Sequence, residues 1–352
     1  MSQPLLTAST SPDSGDPTPF DERAEETLPR VKLLAGLIER RLKQDWTGDG
    51  HLNEVCGYAV GAPGKFFRPI LLLESASAVG GEIDRVLPAA AGTEGAHVAS
   101  LMHDDIIDGD AIRRGCPAAH VVYGRDDAIV GGDALIFYLF GALADCASRG
   151  VTTERIVTAM AKAAEAGREL CRGQMLEEQI RASYDCRVSS YLSMIQAKTG
   201  ALFRASCCIG ATLGGGTTAE ADALGDYGTL LGYAFQIYDD LLPYLSSVDD
   251  TGKPASSDLA NRRLTLPFLL CRDEGDPATV ALLDHLMTGD DELEARYRKL
   301  SAVLKDSGAI DRAVATARQY ADEAVAALSI LAPSASRDTL TYFAEAAVRR
   351  CR

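Results

Sequence analysis

Residues 101–120 read LMHDDIIDGDAIRRGCPAAH and combine an apolar helical pattern with aspartates and a pair of arginines. Asp104 and Asp108 are four positions apart, so on a helix they share a face, where their like charges repel each other. A fold tolerates this repulsion when a cation sits between the carboxylates, and a few oxygen ligands with room for water and phosphate suit Mg²⁺. Arg113 and Arg114 follow closely and offer the bidentate donors that phosphate oxygens prefer. The segment therefore predicts a Mg²⁺–diphosphate clamp.

A solvated acidic helix end with a basic cap would give a similar pattern, because the DDxxD spacing alone is a weak motif. Two features favour the functional interpretation. Ile106 and Ile107 interleave the acids, so the segment is not a purely polar face. A second acidic pair, Asp239 and Asp240, closes the apolar run LLGYAFQIYDD of residues 230–240.

Composition excludes several classes of function. A net charge of −15 over 352 residues argues against binding to nucleic acid or to anionic membrane surfaces. Nine cysteines without CxxC spacing predict reduced thiols in a cytoplasmic protein. We see no basic start followed by an apolar segment, and no apolar run approaching the roughly 18 residues of a membrane span. The sequence therefore predicts a cytoplasmic protein with no secretion signal and no transmembrane segment.

Helical periodicity extends along nearly the whole chain and predicts an all-α fold. Residues 1–20 are rich in Ser, Thr, Pro and Asp and predict a disordered tail, which leaves 21–352 as one helical domain. The predicted helices are 24–45, 66–80, 84–108, 127–148, 152–182, 187–213, 217–245, 263–272, 276–288, 290–306, 309–331 and 336–351. Helices 84–108 and 217–245 are apolar nearly all round, as central helices are. We expect one large bundle around a deep hydrophobic pocket, with both acid groups at its mouth.

Several motifs resemble, in the same order, those of the trans-isoprenyl diphosphate synthases (the polyprenyl synthetase family). The resemblance covers about residues 25–350. The matching segments are Gly64–Pro69, His97–Gly115, Gly131–Leu135, Gly173–Gln174, Lys198–Gly200, Phe235–Asp240 and Gly252–Pro267. The resemblance implies an isoprenoid synthase fold, a homodimer, and condensation of isopentenyl diphosphate with an allylic diphosphate. The allylic substrate would lose its diphosphate and leave a carbocation.

The resemblance also implies a role for individual residues. Asp104, Asp108 and Asp239 would hold Mg²⁺, three ions per active site, with Asp105 and Asp240 in support. The allylic diphosphate would contact Arg113, Lys198, Lys253 and Arg263. The diphosphate of isopentenyl diphosphate would bind without metal to Lys65, Arg68, His97 and Arg114. Gln236 and the backbone near Thr199 would face the carbocation.

Some positions depart from the family pattern. Pro243 stands where the second motif usually has a third acid, and a proline cannot ligate metal and would kink or end the helix. Asp249 and Asp250 follow in the next loop and could compensate. Glu177 takes the place of a family aspartate that could assist the metal site. Further replacements are Arg262–Arg263 for Gly-Lys and Phe66–Phe67 for a basic residue and Leu.

Product length can be argued from helix geometry. The growing tail should run from Asp104 toward the helix N terminus, where one turn of about 5.4 Å is comparable with one isoprene unit. In the family, the residues four and five before the first aspartate act as a floor, and here they are Ser100 and Ala99. Both are small, which predicts a product of C20 or longer. Candidates for a lower floor, or for ordinary core packing, are Phe137, Tyr138 and Phe140.

Two other functions remain open beside chain elongation. A class I terpene cyclase would also ionise an allylic diphosphate, and the altered second motif favours it slightly. It needs no isopentenyl diphosphate site, however, and the matching Lys65, Arg68 and Arg114 oppose it. A catalytically silent subunit of a heteromeric synthase should have lost the first acid motif, which this chain keeps.

Overall fold

The computed structural model describes residues 18–245 and 256–349. The first of these ranges holds α1 (Pro19–Asp45), α2 (His51–Gly61), α3 (Phe67–Ala78), α4 (Ile83–Asp108), α5 (Ala119–Tyr123), α6 (Arg125–Asp145), α7 (Thr153–Ser183), α8 (Val188–Ile195), α9 (Ala201–Gly214) and α10 (Thr218–Leu245). The second holds α11 (Ser257–Ala260), α12 (Leu266–Glu274), α13 (Pro277–Thr288), α14 (Leu293–Asp306), α15 (Ala309–Ala327) and α16 (Ala335–Ala347). A π turn spans Gln196–Gly200, and short 3₁₀ turns span Cys146–Arg149 and Leu328–Ile330. The predicted all-α fold is confirmed.

The two strands in the described part of the chain form one small antiparallel hairpin. They are β1 (Ile112–Arg113) and β2 (Cys116–Pro117), paired with Arg113 opposite Cys116. The two loop residues between them, Arg114 and Gly115, have φ of 52° and 81°. Positive φ at both loop positions is typical of a type I′ hairpin. The RRG motif is therefore a tight turn directly after α4.

The N-terminal helix begins earlier than the sequence predicts. Thr18 caps α1 with a capping box, in which Thr18 N donates to Asp21 Oδ2 at 3.0 Å and Asp21 N donates to Thr18 Oγ1 at 3.4 Å. The last residues of the predicted tail, 18–20, are thus the cap and first turn of α1. Residues 1–17 lie outside the described residues. Helices α2 and α5 were not predicted, because they are short and carry few periodic apolar positions.

The chain forms two compact units, which we describe separately. The first unit comprises residues 1–166, 202–227 and 327–343, and the second comprises residues 167–201, 228–326 and 344–352. The single-domain organisation expected from the sequence stays a prediction.

In the first unit, glycines allow α4 and α6 to approach closely. A Cβ built on Gly92 would lie 2.8 Å from Ala142 Cβ, and one on Gly132 would lie 2.3 Å from His103 Nε2. Larger residues at these positions would force the helices apart. The close approach assigns one face of α4 to α6, and it explains the glycine pair in the predicted motif Gly131–Leu135.

Another part of the first unit accounts for a departure from the family pattern. The ring of Phe67 packs on Phe343, with ring centroids 4.6 Å apart, and on Phe203, with centroids 5.5 Å apart. Phe67 is buried, so this aromatic residue at the start of α3 belongs to the core.

The second unit has its own core, formed where α8, α10 and α12–α15 meet. Its large buried side chains include Tyr191, Ile237, Phe268, Leu283 and Leu304. The π turn 196–200 follows α8 directly, so this core also fixes the base of that turn.

One helix in the described residues is long and apolar enough to cross a membrane by length and composition alone. It covers α6 and the 3₁₀ turn after it, Arg125–Arg149. The sequence alone predicts no such run. Core and interface helices of soluble proteins meet the same criterion, and α6 carries Asp133 in its middle.

Candidate active site

The first acidic group lies at the C-terminal end of α4, which closes on Gly109 with φ of 71°. Partly accessible residues recur along one side of this helix at His97, Ser100, Asp104 and Asp108. We call these four residues the α4 stripe. The predicted clamp aspartates therefore share an accessible face, as the sequence predicted.

Asp105 points away from the α4 stripe and is 3 % exposed. It accepts a hydrogen bond from Arg113 Nε at 2.7 Å, and Arg113 Nη2 contacts the same oxygen. Asp110 Oδ2 lies 3.4 Å from Arg113 Nη2. Burial raises the pKa of Asp105, and the charge of Arg113 opposes that rise. Asp105 thus anchors Arg113 beside the C-terminal end of α4.

The β1–β2 hairpin separates the two predicted diphosphate arginines. Arg113 pairs with Asp105, whereas Arg114 reaches the loop before α3, where a Cβ built on Gly64 would lie 3.0 Å from Arg114 Nη1. The two arginines therefore have different surroundings, and their assignment to different diphosphates stays a prediction.

In the first unit, a cluster of side chains contains Arg68, His97 and Arg114, three of the residues predicted to bind a diphosphate without metal. We call it the cationic cluster. Arg68 Nη1 lies 3.1 Å from His97 Nε2, and the Arg68 guanidinium stacks 4.6 Å above the ring of Phe203. Burial and nearby arginines lower the pKa of His97 well below its ordinary value, so His97 is neutral and its Nε2 accepts from Arg68. Burial also lowers the pKa of Arg68 to about 10. Lys65 precedes Phe66, whose φ of 47° forms the turn into α3.

Sequence reasoning missed Glu94, which belongs to the same cluster. It is 2 % exposed and lies one helical turn before His97 on α4. A Cβ built on Gly64 would lie 3.5 Å from Glu94 Oε1, on the same side as Arg114. In the described part of the chain, the buried atoms Glu94 Oε2, Arg68 Nε and His97 Nδ1 have no hydrogen-bond partner. The available signal was a carboxylate among small apolar residues in AAAGTEGAHV.

In the second unit, Glu177 forms ion pairs with two cationic side chains that were predicted to bind the allylic diphosphate. Lys198 Nζ lies 2.5 Å from Glu177 Oε2, and Arg263 Nε lies 3.6 Å from Glu177 Oε1. Arg263 also lies 3.7 Å from Asp258 Oδ1. The structure therefore makes Glu177 a counter-ion of these cations, a contact that the sequence did not predict.

The backbone around Lys198 explains the glycine of the Gly173–Gln174 motif. Lys198 lies in the π turn 196–200, a local widening often found at functional sites. A Cβ built on Gly173 would lie 2.3 Å from Lys198 N, so only glycine lets α7 pass the turn at this distance. Both amide atoms of the neighbouring Gln174 are buried without a partner among the residues described.

A hydrogen-bond chain encloses Asp240. Tyr191 OH donates to Asp240 Oδ2 at 2.7 Å, and Gln236 Nε2 donates to Asp240 Oδ1 at 2.9 Å. Thr199 Oγ1 donates to Gln236 Oε1 at 2.8 Å, which fixes the orientation of that amide. Burial, with repulsion from Asp258, raises the pKa of Asp240 to about 8. Asp239, by contrast, is exposed.

Pro243 does not end α10, which continues to Leu245. Tyr297 OH donates to the Pro243 carbonyl at 2.6 Å. The alternative in which this proline terminates the helix is therefore wrong. Lys253, Asp249 and Asp250 lie outside the described residues.

The predicted chain-length residues have different surroundings. Ala99 has no accessible surface. It belongs to the α4 face that packs on α6, since Gly95 of that face contacts Tyr138. Ser100 keeps accessible surface on the α4 stripe, and its hydroxyl donates to the His97 carbonyl at 2.7 Å.

The aromatic candidates for a lower floor also differ in environment. Phe137 is 73 % exposed, so it is not an internal floor in this chain. Tyr138 packs against Gly95 and donates to Asp45 Oδ2 at 2.5 Å. Its ring is therefore part of the α4–α6 contact.

The carboxylates fit Mg²⁺ only with help from other ligands. Within the described residues, no three His, Cys, Asp or Glu side chains lie together so that they could hold a metal ion. Asp104 and Asp108 supply carboxylate oxygens in the first unit, and Asp239 does so in the second. Mg²⁺ prefers one or two carboxylates with water and phosphate oxygens, so this donor set suits a metal that arrives with a diphosphate.

Comparisons with known proteins identify the family of this chain. The profile of the family described as polyprenyl synthetase matches residues 49–304. The chain is 36 % identical to geranylfarnesyl diphosphate synthase of Aeropyrum pernix, over 76 % of this chain and 83 % of that one. It is 35 % identical to geranylgeranyl diphosphate synthase of Methanosarcina mazei, over 85 % and 90 %. The crystal structure of geranylgeranyl pyrophosphate synthetase from Pyrococcus horikoshii superposes with a TM-score of 0.84 at 32 % identity, covering 92 % of this chain and 98 % of that one.

Proposed function

We propose that this chain, which belongs to the polyprenyl synthetase family, condenses isopentenyl diphosphate with an allylic diphosphate. The product is a trans-polyprenyl diphosphate of C20 or longer. The observation that carries this proposal lies within the first unit. An acidic helix end suited to a metal-bound diphosphate occurs together with a separate buried cluster, Arg68, His97 and Arg114, suited to a diphosphate without metal.

The acidic residues and their neighbours serve the allylic substrate. Asp104 and Asp108 in the first unit and Asp239 in the second would hold Mg²⁺, which would supply positive charge to stabilise the departing diphosphate. Arg113, fixed by Asp105, and the cations held by Glu177 add positive charge that is already oriented before the reaction. The oriented Gln236 amide keeps an acceptor lone pair on Oε1 after binding Thr199, and this can face a developing carbocation.

The cationic cluster serves isopentenyl diphosphate. Arg68 and Arg114 donate to its diphosphate, and neutral His97 adds a donor at Nδ1, because its Nε2 accepts from Arg68. The double bond of isopentenyl diphosphate attacks the allylic cation, the new carbon–carbon bond forms, and the proton that is lost passes to released pyrophosphate. Water must be excluded, since it would convert the cation to an alcohol.

The small, accessible Ser100 supports a product of C20 or longer. It occupies the α4 stripe one turn before Asp104, where a bulky side chain would block a growing tail. Ala99 is a weaker candidate, because it has no surface open to a substrate.

We also propose a homodimer that assembles through α6. Four exposed apolar residues lie on one face of this helix, as two adjacent pairs separated by two helical turns. They are Ile129, Val130, Ile136 and Phe137. Such a face is costly in water and suits a two-fold interface in which each subunit presents the same surface.

A reducing cytoplasmic location is supported by the cysteines in the described residues, all of which are free thiols.

One incubation tests the function. Purified protein with farnesyl diphosphate, labelled isopentenyl diphosphate and Mg²⁺ should release a labelled diphosphate of C20 or longer, identified by mass spectrometry. Unlabelled hydrocarbon would instead indicate a terpene cyclase. Absence of any product from every allylic primer tried would overturn the proposal.

A further inference from the structure

The mechanism above makes no use of Glu94, although this carboxylate lies at the cationic cluster. It is almost completely buried, and within the part of the chain that the structure describes, its Oε2 has no hydrogen-bond partner. Gly64 lies between it and Arg114: a Cβ on Gly64 would be 3.5 Å from Glu94 Oε1 and 3.0 Å from Arg114 Nη1. A buried carboxylate is costly, so its position beside the diphosphate arginines calls for a functional reason.

We propose that Glu94 is a positioning residue that limits how tightly the cluster of Arg68, His97 and Arg114 holds a diphosphate. This inference rests on the proposed function. Glu94 acts through its charge on the two guanidinium groups. The structure records no hydrogen bond or ion pair between Glu94 and either arginine among the described residues, and the interaction between them is electrostatic.

The direction of the effect follows from electrostatics. A negative charge close to two arginines opposes the binding of a second, larger negative charge to them, and burial reduces the screening of that repulsion. Burial raises the pKa of Glu94 above its ordinary value of 4.5, while Arg114 and Arg68 counter that rise. Above its pKa, the ionised carboxylate therefore weakens the binding of isopentenyl diphosphate.

Weaker binding serves a synthase that elongates repeatedly. The diphosphate of isopentenyl diphosphate becomes the diphosphate of the product, because the condensation breaks the allylic carbon–oxygen bond and one carbon–hydrogen bond but leaves the carbon–oxygen bond of isopentenyl diphosphate intact. Before the next condensation, that diphosphate must leave the cationic cluster. Glu94 makes this departure easier, so removing its charge should favour products that stop early.

The test is Glu94→Gln, measured beside the wild type from pH 6 to pH 9, because a higher pH favours the ionised carboxylate. We expect the KM for isopentenyl diphosphate to fall at least about fivefold. We also expect kcat to fall and the mean product length to shorten, while the KM for the allylic primer stays the same. Calorimetric titration of isopentenyl diphosphate in EDTA should show the same gain in affinity without any chemistry.

Two further variants serve as controls. Glu94→Asp keeps the charge and should keep the KM for isopentenyl diphosphate within about twofold of the wild type. Glu94→Ala removes the charge without adding an amide, and it replaces Glu94→Gln if that protein does not fold. An unchanged KM in a folded neutral variant overturns the inference, and a raised KM would show that Glu94 holds the arginines in place. If the wild type fails to use isopentenyl diphosphate at all, the proposed function itself is wrong.

Discussion

For single residues, the structure shows that side chains of one sequence motif can have different surroundings. Asp104, Asp105 and Asp108 belong to one motif, yet Asp105 is buried against Arg113 while the other two lie on the accessible α4 stripe. This difference follows from helix geometry, since adjacent residues point about 100° apart.

The three aspartates should therefore respond differently to truncation. Asp104→Ala or Asp108→Ala should abolish condensation without destabilising the apo protein, because each change removes a metal ligand and relieves like-charge repulsion. Asp105→Ala should instead lower the free energy of unfolding by about 1–3 kcal/mol, because it leaves Arg113 without its main partner. Steady-state rates and urea unfolding curves measure the two effects. Near-native turnover in Asp104→Ala would contradict the clamp.

Arg68→Ala should raise the KM for isopentenyl diphosphate far more than that for the allylic primer. Losing a charge-assisted phosphate contact costs about 1.5–3 kcal/mol, which corresponds to roughly 10- to 150-fold. Arg113→Ala is the matched control, since Arg113 lies at the acidic end of α4 and should affect the allylic primer instead. Equal effects of both variants on both substrates would mean that the two diphosphate sites are wrongly assigned.

Ser100→Phe should shorten the main product toward C15. The ring would project from the α4 stripe one turn before Asp104, where the tail of a C20 chain should pass. Ala99→Phe, in contrast, would overpack the α4–α6 contact and should cost about 1–3 kcal/mol of stability. Chromatography of the dephosphorylated products, with thermal unfolding of each variant, distinguishes the two outcomes. An unchanged product from a folded Ser100→Phe protein would show that the tail does not follow this helix.

At the scale of elements, close contacts between helices decide where the functional side chains stand. The π turn 196–200 places Lys198 and Thr199, and Gly173 of α7 gives the turn its space. The apolar spacing of the sequence predicts one continuous helix over 187–213. The π turn was missed because one extra residue in a helical turn barely changes the apolar spacing.

Gly173→Ala should lower both stability and activity, because its Cβ would lie 2.3 Å from Lys198 N and the contact involves backbone that cannot rotate away. We expect the free energy of unfolding to fall by about 1–3 kcal/mol. Gly167→Ala is the matched control on the same helix, where a Cβ meets nothing within 4 Å. It should be neutral or stabilise by up to about 1 kcal/mol, since alanine favours a helix over glycine. Equal effects of the two changes on unfolding would contradict the proposed contact.

At the scale of the whole molecule, the family, the all-α class and most helix positions could be predicted from the sequence. These features depend on local periodicity and on motifs that are contiguous in the chain. The counter-ions Glu94 and Glu177 could not be identified in this way. The role of Glu94 arises from the nearby charge of Arg114, and that of Glu177 from its ion pair with Arg263. Both arginines are distant in sequence from these carboxylates and leave no local pattern.

The apolar face of α6 leads to a prediction about assembly. Phe137→Glu should convert the proposed dimer to a monomer, because Phe137 is 73 % exposed and a charge there would be buried in the proposed two-fold interface. Leu33→Glu on α1 is the matched control: Leu33 is 62 % exposed but lies outside that face, and the change should leave the mass unaltered. Light scattering coupled to size-exclusion chromatography gives the mass of each protein. A wild-type monomer, or a dimer that survives Phe137→Glu and an added Val130→Glu, would show that α6 does not form the interface.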